Sequence, residues 1–309
     1  MSKKMCNRFY KAFFLLIIFI NDAFSQVDIN RLTDRVDLDG TSRKYLLNEI
    51  EPYTGEVFYR YNNGKYEFKG NMLEGLQDDH WIWYFENGQK EQEGYFKHAV
   101  QDGFWQWWYS NEQIKEEGEF QNGVKNGTWS MWHPNGVASS AEPYRNGKLE
   151  GKLILWFDSG KKEGEALFIQ GIKHGYDRGW YLNGKLRWEY EWFKGVEDGP
   201  QIMWFENGNK KVEHHFQKGK LHGTVREWYQ EGQKRLDGFS DSGLMQGTWS
   251  WWYPNGDVAM SGEYIAGSPT GTWTWETEEG DGNMEINDLP TQMWVNQKMA
   301  IWDKFHQMK

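Results

Sequence analysis

One cysteine occurs in 309 residues, Cys6, and it precedes the chain's one long apolar run. A lipid-modified cysteine would follow such a run. Disulfides, a thiolate metal site and a thiol nucleophile are excluded for everything downstream. Long apolar stretches are equally scarce. Ala12–Ile20 is the single one, and it is too short to span a bilayer. No Gly-x-Ser-x-Gly elbow, Walker loop or His-Glu-x-x-His motif is present. Positive charge is in deficit: 35 Lys and Arg face 45 Asp and Glu, a net charge of −10. That balance disfavours a polyanion such as nucleic acid as partner.

The first 25 residues read as an address. Lys3, Lys4, Arg8 and Lys11 make a basic start, the apolar run follows, and Ala23-Phe24-Ser25 supplies small residues at a cleavage site. This is the layout of a secretory signal peptide cut between Ser25 and Gln26, which implies export to the periplasm, the outer surface or the medium. An uncleaved N-terminal anchor is the other reading. Cleavage removes four positive groups and Asp22, which takes the net charge to −13, and leaves no transmembrane segment in the mature chain.

What the chain has in abundance is glycine and tryptophan, 35 and 20 residues. Three glycine columns recur every 24 residues. The first runs from Gly55 to Gly271 with Asp79 as its exception. The second runs from Gly64 to Gly280 with Glu112 as its exception, and the third from Gly75 to Gly267 with Ala99 as its exception. Together they hold 26 of the 35 glycines, so the period organises the chain and defines a repeat architecture. With the first column as position 1, Asn-Gly falls at positions 9 and 10, as in Asn63-Gly64 and Asn255-Gly256. That dipeptide predicts a two-residue type I′ turn joining two short strands. The expected fold is all-β, an elongated array of stacked antiparallel hairpins over residues 53–280. Residues 26–52 form an N-terminal cap before it. Residues 281–309 form an acidic linker and a short amphipathic helix over 290–308.

A two-residue turn sets position 3 opposite 16, 5 opposite 14 and 7 opposite 12, all on one face. Position 3 carries Trp81, Trp105, Trp129, Trp249 and Trp273, and position 16 carries Gly94, Gly118, Gly238 and Gly262, so that face is the expected core. On the other face, position 15 is acidic, from Glu93 to Asp237. Position 6 is an aromatic ladder of Trp108, Trp132, Trp156, Trp180, Trp204, Trp228 and Trp252. The same register places position 13, with Glu163, Arg187, Lys211 and Arg235, opposite the ladder. The ladder is the candidate binding surface, set against the alternative that it packs within the sheet and supports it.

Units such as Trp204–Lys211 and Gly223–Gly232 resemble the variant MORN repeat, which is widespread in bacterial proteins named as YwqK-family antitoxins. The resemblance implies stacked β-hairpins in one sheet and no catalysis; the antitoxin label implies binding a toxin protein. A more distant similarity is to the aromatic repeats of cell-wall-binding modules. No cofactor, metal or catalytic residue is expected. His174 and His222 are expected as solvated turn residues too far apart to share a metal. The functional expectation is a non-enzymatic exported protein that offers a protein-interaction or scaffolding surface in the cell envelope. The alternatives are an antitoxin or immunity-type binder, and a linear-glycan or cell-wall binder using the ladder.

Overall fold

The structure, a computed structural model, describes residues 26–277 and 280–286. The expected signal peptide and the 290–308 helix lie outside the described residues. Among the described residues, 23 strands join in one sheet and two more, Leu32–Val36 and Ser42–Leu46, pair as a separate hairpin. A single 3-10 turn, Ile29–Arg31, is the only helical element among them. The large sheet is a meander. Gly55–Arg60 pairs antiparallel with Tyr66–Leu73, that strand with Leu76–Tyr84, and so on to the last pair, Ser268–Thr277 with Gly280–Ile286. Each strand packs chiefly on its immediate neighbours in sequence. At the N-terminal end, Val27–Asp28 lies parallel to Gly55–Arg60. Val27, Leu32, Val57, Met72 and Trp81 close a small core there. The acidic segment after Gly280, expected as a linker, instead starts as a strand: Gly280–Ile286 pairs residue by residue with Gly271–Thr277.

Every unit holds two turns, and their chemistry is the reverse of the sequence expectation. At the Asn-Gly site, the Gly64 N–H donates to Tyr61 O at 2.9 Å and the Tyr61 N–H to Lys65 O at 2.9 Å. Only the glycine has positive φ there, +84°. This is a three-residue loop ending in a left-handed glycine. The Asn63 carboxamide oxygen accepts from the Lys65 N–H at 2.9 Å, which holds the asparagine outside the left-handed region. The type I′ turn lies at the third glycine column, where Glu74 and Gly75 both have positive φ, 50° and 74°. All three exceptions to the glycine columns keep the conformation: Asp79 at 59°, Ala99 at 63° and Glu112 at 69°. A left-handed non-glycine residue costs about 1–2 kcal/mol, partly offset by the unfolded-chain entropy that glycine adds. Ala99→Gly should therefore stabilise the chain by about 1 kcal/mol, read as a higher urea midpoint. A lower midpoint would show that this turn does not require the left-handed backbone.

The extra loop residue shifts the register. Position 5 still faces 14, as in Tyr59 with Phe68, but position 6 then faces 12, as in Arg60 with Tyr66. Position 13 is a bulge residue. Position 12 thus joins the ladder face and position 13 leaves it, which corrects the expected partner of every ladder tryptophan.

On the opposite face, the position 3 tryptophans Trp81, Trp105, Trp129, Trp249 and Trp273 are at most 3% exposed. Each lies over the glycine of the preceding strand. A Cβ built on Gly70, Gly94, Gly118, Gly238 or Gly262 would sit 2.0–2.3 Å from an indole carbon. Each buried indole N–H needs a partner. Trp81, Trp105, Trp129 and Trp249 donate to the carbonyls of Asn71, Tyr95, Glu119 and Phe239 at 2.8–3.1 Å. Position 5 tryptophans fill the intervals, so Trp81, Trp83, Trp105 and Trp107 run in sequence with ring centroids 5.5–5.9 Å apart. In the centre of the array this arrangement lapses. Position 3 there holds Leu153, Asp177, Gln201 and Val225. Gln201 preserves one element, since its Nε2 donates to Glu191 O at 3.0 Å, the carbonyl position that an indole serves elsewhere.

Candidate functional site

The seven ladder residues, Trp108, Trp132, Trp156, Trp180, Trp204, Trp228 and Trp252, are brought onto one face, and all are half-buried. They are neither the sealed core residues of position 3 nor freely exposed. The register explains the partial cover. Lys90, Lys162, Lys210 and Lys234, all at position 12, reach forward over the ring of the next unit's tryptophan, with Nζ 5.2–5.8 Å from the centroids of Trp108, Trp180, Trp228 and Trp252. A lysine stem covers apolar area while its ammonium meets the ring face. The same lysines hold the acidic column: Lys90–Glu93, Lys162–Glu165, Lys210–Glu213 and Lys234–Asp237 are 2.5–3.0 Å apart. Among the described residues, no cation lies over Trp132, Trp156 or Trp204 at that range. Position 12 of the unit before each is Ile114, Ala138 and Leu186.

Two sets of unit-to-unit hydrogen bonds escaped the sequence. Tyr61, Tyr109, Tyr181 and Tyr229, at position 7, donate through their hydroxyls to the carbonyls of Tyr84, Trp132, Trp204 and Trp252 at 2.7–2.8 Å. At position 9, Asn63, Asn111, Asn135, Asn183 and Asn207 donate through Nδ2 to a carbonyl 23 residues on, at 2.7–2.9 Å. The asparagine that shapes the turn therefore also fixes the spacing of the ladder. The recurrence of Asn at position 9 in most units was the available signal.

The histidines take structural roles. His174 and His222 each accept a turn N–H on Nδ1, from Lys194 and Ser242 at 3.4 Å, so they cap their turns while remaining partly exposed. No group of three or more His, Cys, Asp or Glu side chains able to hold a metal occurs among the described residues. An ionic cluster also lies on the core face in the central units. Glu227 contacts Arg235, and His214 Nε2 lies 3.3 Å from Glu227 Oε1 without the alignment of a hydrogen bond. Burial pushes the Glu227 carboxyl up. The contact with His214 and the charges of Arg235 and Lys211 outweigh this and hold it below its ordinary value of 4.5. A carboxyl depressed on folding stabilises the native state above its unfolded pKa, and loses that contribution as pH falls through the folded value. Urea unfolding of the native chain and Glu227→Gln should therefore differ most near neutrality and converge as pH drops below about 4.5. A difference independent of pH would show that the ion pairs contribute nothing.

Four segments, 80–98, 101–122, 197–218 and 245–266, match the MORN repeat variant. No curated protein matches the chain. The matched segments and the units between them share the period, the turns and the strand pairing.

Proposed function

We propose that this array of MORN-variant repeats is a non-enzymatic exported protein whose sheet serves as a protein-interaction or scaffolding surface in the cell envelope. The observation that carries this reading is the ladder: seven half-buried tryptophans on one face, held in register by side-chain bonds from unit to unit. An extended face of this kind is what repeat arrays use to bind partners. Half-buried tryptophans in a row are also a solubility hazard unless something covers them. The basic start, apolar run and small-residue site over residues 1–25 support export. A non-enzymatic role is supported by the acidic column, where the position 15 carboxylates named above are each engaged by a lysine. Paired catalytic carboxylates need a cleft and one free proton donor. The test is chemical cross-linking of residues 26–309 in an envelope fraction. One partner should be captured by the native chain and lost in a variant carrying Trp180→Ala and Trp204→Ala. Equal capture by both chains would overturn the proposal.

A further inference from the structure

The unit Gly127–Glu150 differs from the rest on the ladder face. It presents Thr128, Ser130, Trp132, Ala138, Ala141 and Pro143 at positions 2, 4, 6, 12, 15 and 17, and none is charged. Each other unit from Gly55 to Gly247 carries a charge, or a histidine beside one, at one or more of these positions. Alanines stand where four other units, the following one among them, place the pair of a lysine and a carboxylate. Ala138 faces Trp132, Ala141 faces Ser130, and Ile154 of the next unit faces Ala141. Among the described residues no cation lies over the ring of Trp132 or Trp156, and both rings are half-buried. The outcome is a trough floored by two methyl groups, uncharged along its own unit and bordered beyond Trp156 by Lys162. An indole stands on either side, two strand spacings or about 9.6 Å apart.

We infer that this trough binds a linear, uncharged polysaccharide of β-linked pyranoses, lying across the strands with sugar rings stacked on Trp132 and Trp156. Three features select that chemistry. The two-residue repeat of an extended β-linked glycan is close to the distance between the indoles, so alternate rings meet a tryptophan while the ring between them passes over the alanines. The apolar face of a pyranose matches an indole face, and the hydroxyls at its rim can meet Ser130, which faces Ala141 across the trough. The carboxylate of Glu117 flanks the trough on one side and disfavours an anionic chain there, whereas Glu165 on the other side is already held by Lys152, Lys162 and Arg178.

A protein partner fits this trough poorly. The trough spans the three strands between those of Glu117 and Glu165, about 10 Å across, and is far smaller than the roughly 800 Å² that a stable interface covers on each side. Its strands are interior to the sheet, so no backbone edge is free for strand addition. The inference is separate from the protein-interaction reading above and stands or falls without it.

The experiment uses residues 26–309, titrated with cellohexaose, chitohexaose and a proline-rich peptide by calorimetry. The native chain should bind at least one of the two oligosaccharides. Ala138→Lys combined with Ala141→Glu introduces the pair that four other units carry, so the fold and its thermal midpoint should persist while affinity falls about tenfold or more. Ala138→Lys alone serves as a second variant if the double one unfolds. Binding of neither oligosaccharide by the native chain, binding of the peptide alone, or affinity unchanged in the folded variants would each overturn the inference.

Discussion

Gly94→Ala should be among the most damaging single-methyl substitutions in the chain. The added Cβ would lie 2.1 Å from Trp105 Cδ2, a separation that side chains do not tolerate. Gly94 is not among the positive-φ residues, so the cost is steric rather than conformational. Trp105 has nowhere to go. It is 1% exposed, it packs between Trp83 and Trp107 with centroids 5.9 and 5.5 Å away, and Phe96 meets it edge-on at 5.0 Å. Overpacking of a filled site costs about 1–3 kcal/mol and sometimes more, and here the upper end is expected. The chain itself indicates the rescue. Position 16 is glycine at Gly70, Gly94, Gly118, Gly238 and Gly262, and the position 3 residue eleven places later is then tryptophan. At Glu142, Ala166, Tyr190 and His214 it is Leu153, Asp177, Gln201 and Val225 instead. Gly94→Ala with Trp105→Val should therefore cost less than the sum of the two single changes, measured as a double-mutant cycle in urea. Additive costs would show that the two positions are not coupled.

The second large effect separates the two sets of tryptophans. Trp129→Ala removes a fully buried ring and its hydrogen bond to Glu119 O, 3.1 Å in length, and should cost about 3–5 kcal/mol. On the ladder, Trp180→Ala and Trp204→Ala remove half-buried rings, so each should cost roughly half as much, about 2 kcal/mol. Of the two, Trp180→Ala also removes the ring under Lys162, and should be the more costly. Thermal melts without any ligand report all three. Equal losses for Trp129 and Trp204 would place the ladder in the core, and unchanged midpoints for the ladder variants would make it purely a binding face.

Much of this was legible in the sequence because a 24-residue period repeats its own evidence. The glycine columns, the two strands per unit and the pairing of position 3 with position 16 all survive in the structure. The turn type did not, for a local reason. An Asn-Gly dipeptide reads as type I′, but the asparagine side chain binds the N–H two residues on and leaves only the glycine left-handed. One extra loop residue then moves position 12 to the ladder face, so the cations over the tryptophans are Lys90, Lys162, Lys210 and Lys234 rather than residues at position 13. A period-2 alternation carries no mark of a bulge, and a one-residue slip exchanges the faces. Gly280–Ile286 was obscured by its acidic composition, although Gly280 falls in the second glycine column. The direction in which a tryptophan such as Trp81 leans, back over the preceding strand's glycine, cannot be read from pairing alone, because Trp81 has a position 16 glycine on both sides, Gly70 and Gly94.

The units form one open, single-layer array in which each strand packs chiefly on its sequence neighbours. With 23 strands in the sheet and about 4.8 Å between neighbouring strands, the array is about 100 Å long. Small-angle X-ray scattering of residues 26–309 tests this most directly. A rod of that length has a radius of gyration near 30 Å and a distance distribution with a long tail. A globule of about 300 residues has a radius of gyration of roughly 20 Å, and a compact, symmetric profile at that value would contradict the account.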